Sequence, residues 1–134
     1  MTELETALWN KYNASVALKA ALSGGFHNTE AKQNAVMPFG VFQIISDVPR
    51  ATFSEDQESV LVQIKLFSAE KYSSAELNNM FNALKGAFDY TTLTLTDYVS
   101  VSCRRVSAIK SKIEDVWQYT VSYLILIEKN VSVR

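Results

Sequence analysis

A chain of 134 residues, 48% apolar and 20% charged, has room for one domain with a single core and lies far from disordered or fibrous compositions. Its 13 Lys and Arg against 14 Asp and Glu leave a formal net charge of −1, so no strong overall field draws it onto nucleic acid or an anionic membrane. The lone cysteine excludes an intrachain disulfide, no run approaches the roughly 20 apolar residues of a membrane span, and the acidic start Met-Thr-Glu-Leu-Glu is unlike a secretory signal. The Asn-X-Ser sequons at Asn13 and Asn130 therefore read as chance matches.

Thr2 and Glu5 have capping-box spacing, and Leu4, Ala7, Leu8 and Tyr12 follow on one helical face. That stripe breaks near Asn13 to Ser15, which predicts a second short helix to Leu22, stopped by Gly24-Gly25. Phe26 to Val36 is polar and mixed, and reads as loop. After Met37-Pro38, Phe39 to Ser46 predicts a strand, ended by Asp47-Val48-Pro49. An acidic connection, Phe53 to Ser59, leads to a second strand in which Val60, Val62, Ile64 and Leu66 form one apolar face.

Ser73 and Glu76 repeat the capping-box spacing and open a helix whose Leu77, Met80, Phe81, Leu84 and Phe88 share a face. From Tyr98 to Ile109 the chain alternates, with Val99, Val101 and Cys103 on the apolar side and Ser100, Ser102 and Arg104 on the other. Lys110 to Asp115 reads as a turn or hairpin tip. The last strand, about Val116 to Glu128, places Trp117, Tyr119, Val121, Tyr123, Ile125 and Ile127 on one face. The order ααββαββ predicts one α+β domain over residues 1–134, with a single antiparallel or mixed sheet of about four main strands and helices packed on one face. Its core candidates are Leu77, Met80, Phe81, Leu84, Phe88, Trp117, Tyr119, Val121 and Tyr123.

Little in the chain suits catalysis or metal binding. One histidine, His27, and one cysteine fall short of the three or four N or S ligands of a zinc site, and His27 reads as an exposed loop residue. Cys103 sits beside Arg104 and Arg105, but neighbours on a strand point to opposite faces, so a buried small apolar group is the better reading than an activated thiol. No Gly-X-Ser-X-Gly elbow is present, and Gly24-Gly25 is not a phosphate-binding fingerprint. No catalytic, metal or cofactor residues are assigned. What remains is charge: an acidic cluster of Glu55, Asp56 and Glu58, with Asp47 a further candidate contact, and a basic cluster of Arg104, Arg105, Lys110 and Lys112. These are either two solvated hairpin ends or, in a cyclic oligomer, opposite surfaces that steer one subunit onto the next.

The helix pair, Gly24-Gly25, the Met37-Pro38-Phe39-Gly40-Val41-Phe42 strand entry, the amphipathic helix and the Trp117-bearing last strand together resemble the small tail-completion proteins of long-tailed bacteriophages, also called tail terminator or tail-to-head joining proteins. The resemblance spans nearly the whole chain, with one departure: Glu114-Asp115 stands where members often carry an Arg-Asp or similar polar pair before the Trp. It implies a non-enzymatic virion protein, assembled in the bacterial cytoplasm. It also implies a homohexameric ring on the tail tube that stops tube growth, meets the head connector and lets DNA pass, without membrane or cofactor. A head-side connector or stopper is the alternative within virion assembly, and a small ligand-binding domain or enzyme the alternative from another class. The segments Asp47 to Ser59 and Arg105 to Asp115 are the candidate subunit or partner contacts.

Overall fold

The computed structural model describes residues 2–31, 35–51, 56–69 and 73–129. The elements are α1 (Thr2–Ala14), α2 (Val16–Ala21), β1 (Phe26–Asn28), β2 (Phe39–Ala51), β3 (Asp56–Ser68), α3 (Ala75–Phe88), β4 (Tyr98–Ile113) and β5 (Val116–Lys129). Ser15 separates the first two helices as a true N-cap, its Oγ accepting from Leu18 N–H at 3.2 Å. The spacing of Ser73 and Glu76 does not close a capping box. Ser73 Oγ accepts from Ala75 N–H at 3.1 Å, and the Glu76 carboxylate instead accepts from Ser68 Oγ at 2.5 Å, tying the first turn of α3 to the end of β3.

The strands form one sheet in the order β1-β2-β3-β5-β4, with β1 parallel to β2 and every other pair antiparallel. This corrects the expected four-stranded plan. The described residues are half strand and 28% helix, and the sheet, six-stranded when the Thr94 bridge to Val99 is counted, curls as a half-barrel in place of a plain sheet backed by helices. Strand length and bulges account for the curl. β2 to β5 run 13 to 16 residues, and single extra residues at Ile45, Val101 and Val106 each add local twist.

Several boundaries also move. β1 lies inside the segment read as loop, because three residues beside Gly40 to Phe42 carry too short a pattern to register. β2 runs through Asp47-Val48-Pro49 to Ala51, since proline is tolerated on the margin of a sheet where its missing N–H has no partner to lose. The Lys110 to Asp115 tip is mostly strand: β4 continues to Ile113 and turns through Glu114 and Asp115 alone, at φ 49° and 65°, as a two-residue hairpin requires. The bulge at Val101 breaks the simple alternation of β4, so Ser100 and Cys103 lie opposite the buried Ile127 and Ile125 while Val99 is 51% exposed.

One hydrophobic cluster joins the packed face of the sheet (Phe42, Val60, Val62, Ile64, Leu66, Val121, Tyr123, Ile125, Ile127) to Leu4 and Leu8 of α1, Leu18 of α2, and Leu77, Met80, Leu84 and Phe88 of α3. Phe81, Trp117 and Tyr119 are partly buried against it, and Phe81 stacks on Tyr119 with centroids 4.2 Å apart. Gly24 fits the helix pair to the strand entry. Its N–H donates to Pro38 C=O at 2.7 Å, and a Cβ there would lie 1.7 Å from Val36 C=O.

Candidate assembly surface

β1 pairs with Gly40 to Phe42 of β2, and from Ile44 to Ala51 no described strand lies along the outer margin of β2. At the other end of the sheet, β4 is held on its outer margin by the Thr94 bridge at Val99 and by Tyr90 N–H donating to Cys103 C=O at 2.9 Å. From Arg105 to Ile113 no described strand pairs with it. Apolar side chains collect on these two margins. Of the exposed large apolar residues among those described, Ile45 and Val48 lie on one, and Val106, Ile109 and Ile113 on the other. A long, partly apolar strand margin is a template for another chain, and natural proteins usually cover or blunt it.

Of the charged candidates, Asp47 lies on the first margin strand and the basic residues on the second. Asp47 is exposed on β2. Glu55 and the Asp56 side chain lie outside the described residues, and Glu58 is half-buried within β3, between Pro49 and Ile127 in the ladder. Arg104 is exposed on the open face of β4. Arg105 turns to the packed face, 3.6 Å from the Asp89 carboxylate and 5.2 Å from the Phe81 ring centre. Lys110 is exposed and donates to Ser74 Oγ at 2.9 Å and Asn78 Oδ1 at 3.1 Å, while its Nζ and that of Lys112 each lie 5.4 Å from the Trp117 ring centre. Asp47 on β2 is thus separated from the basic residues of β4 by β3 and β5, and Glu58 on β3 is separated from them by β5. The described parts of the segments Asp47 to Ser59 and Arg105 to Asp115 are mostly strand, and what they expose is backbone as well as charge.

The other polar groups serve the fold. His27 is on β1, half-buried, and its Nε2–H donates to Gly24 C=O at 3.0 Å, which corrects its reading as an exposed loop residue. Burial, and secondarily the negative charge of Asp89, pushes the Cys103 thiol up to about 12, so it is no nucleophile at ordinary pH. Burial and the hydrogen bond that Tyr123 OH donates to Asp89 at 2.6 Å likewise hold the phenol protonated. Among the described residues no group of three or more His, Cys, Asp or Glu could hold a metal ion, and no helix is long and apolar enough to cross a membrane.

Among the described residues, then, the curled sheet has two strand margins without a partner strand. The same fold occurs in a chain of the virion of a native gene transfer agent particle, at a TM-score of 0.78 over 95% of this chain and 96% of that one with 12% identity. A second solved chain aligns at a TM-score of 0.66 and 12% identity, over 96% and 94% of the two chains. No curated protein sequence matches. Residues 11–133 match the model of the phage tail terminator protein family, and the chain belongs to that family. It is a structural protein of the phage tail.

Proposed function

We propose that copies of this chain close into a ring, a homohexamer, at the head-proximal end of the tail, where the ring stops tube polymerisation and joins the tail to the head connector. The ring assembles in the host cytoplasm, DNA passes through its centre, and no catalysis is required. The observation that carries this reading is the pair of strand margins, on the two sides of one sheet, along which no described strand pairs, in a member of the tail terminator family. Two different surfaces on one chain suit head-to-tail contacts, and such contacts close into rings when the rotation between copies permits.

Light scattering behind a sizing column, with negative-stain images of the protein alone and with purified tail tubes, tests the proposal. Rings at tube ends, with tubes of bounded length, are expected. A protein that stays monomeric and leaves tube growth unchanged overturns it. Capture by portal-containing heads but not by tail tubes would move the chain to the head side of the junction.

A further inference from the structure

Resting on that ring reading, we infer that neighbouring copies join strand to strand, the margin of β4 in one copy pairing antiparallel with the margin of β2 in the next, with Asp47 opposite Lys110. The direction follows from the sheet: β2, beyond the three residues that β1 covers, and β4 form its two margins and run opposite ways, so a head-to-tail neighbour presents an antiparallel strand.

The register follows from which backbone groups face outward from the sheet. Gly40 N–H donates to Gly25 C=O and Phe42 C=O accepts from Thr29 N–H, so the even positions of β2 face outward up to its bulge. The alternation continues outward through Ile44 and, past Ile45, through Asp47, Pro49 and Ala51. On β4, Cys103 C=O faces outward to Tyr90, and the alternation continues through Arg105 and, past Val106, through Ala108, Lys110 and Lys112. Placing Asp47 opposite Lys110 sets Ile44 against Lys112, Pro49 against Ala108 and Ala51 against Arg105, every one an outward-facing pair. The opposite charges of Asp47 and Lys110 meet on one face. Val48 and Ile109, 52% and 62% exposed in the single chain, cover each other on the opposite face. Pro49 costs the joint one N–H and no more.

This register also fixes a tilt. Within one copy Asp47 lies level with Val60, and Lys110 with Leu66, so joining them slides each copy by the six residues from Val60 to Leu66. At about 3.3 Å per residue the slide is about 20 Å, against about 19 Å for the width of β2, β3, β5 and β4 at about 4.8 Å per strand. A closed ring has no net rise, so the slide appears as strands inclined roughly 45° to the ring axis, at the edge of the 35–45° range of closed barrels.

Disulfide trapping tests the register. Val48 and Ile109 would be a non-hydrogen-bonded pair, the closer of the two antiparallel types, and within one copy they stand at opposite ends of the sheet. The double variant Val48→Cys, Ile109→Cys, oxidised after assembly, is expected to give a ladder of covalent multimers up to ring size on a non-reducing gel, and either single variant none. In parallel, Lys110→Glu should lower the assembled fraction at least tenfold, and adding Asp47→Lys should restore it while circular dichroism stays unchanged. Rings seen by microscopy without the ladder, or a charge swap that restores nothing, overturn the strand pairing and leave the ring itself standing. Wild-type protein that never assembles, alone or on tubes, removes the ring and this inference with it.

Discussion

At Gly24 a single hydrogen atom separates two backbone segments. Its N–H bonds Pro38 C=O, and any Cβ would meet the Val36 carbonyl at 1.7 Å and the Pro38 carbonyl at 2.8 Å, backbone groups that cannot swing aside as a side chain would. Gly24→Ala should therefore cost about 1–3 kcal/mol or more in urea melts, although the substitution is small and lies at no core position. Cys103 makes a prediction with a direction in pH. Its thiol is raised from an ordinary 9.0 to about 12, so the fold favours the protonated form. That contribution is fully present below pH 9 and is lost as pH rises towards 12, at about 1.4 kcal/mol per pH unit. Tyr123, raised by burial and by Asp89, adds to the loss from about pH 10. Melting temperature followed from pH 8 to 11 should fall steeply above pH 9, and Cys103→Ala should flatten the first part of that fall.

Among the elements, α3 shows what a periodic pattern reveals and what it leaves out. The spacing of Leu77, Met80, Phe81, Leu84 and Phe88 marks one helical face, but it treats all five alike. In the fold Leu84 is fully buried, while Phe81 lies at the rim, stacked on Tyr119 with Lys85 4.7 Å and Arg105 5.2 Å from its ring centre. Leu84→Ala should cost about 2–5 kcal/mol. Phe81→Ala should cost less, about 1–3 kcal/mol, from one aromatic pair, two cation contacts and partial burial. Chemical denaturation of the two variants side by side checks the order. The strands are less legible than this helix. Alternation marks β3 and β5 because they are central and one face of each is packed. β2 and β4 are marginal strands in which bulges at Ile45, Val101 and Val106 reset the alternation and exposed positions carry Asp, Pro, Lys and Ser, residues that otherwise signal turns. β1 is too short for any period to show.

For the whole molecule, the charged residues of the candidate surface are visible in the sequence, but their placement is not, because it depends on strand order. Only when β3 and β5 are known to lie between β2 and β4 do Asp47 and Lys110 become opposite ends of one sheet and not two loops. The proposed joint depends on backbone as much as on charge, and proline separates the two uses of the β4 backbone. Ala108 is exposed, and its N–H faces away from β5 by the ladder alternation, so Ala108→Pro removes no ladder bond to β5 but places a ring where a neighbouring strand would pair. One residue further on, Ile109 pairs with Thr120 and turns its N–H towards β5, so Ile109→Pro breaks the hairpin itself. Ala108→Pro is expected to keep the circular dichroism spectrum and a near wild-type melting temperature while losing rings under the microscope. Ile109→Pro should lower stability by about 3 kcal/mol or more before assembly is even tested. If Ala108→Pro still forms rings as the wild type does, neighbouring copies do not meet along β4.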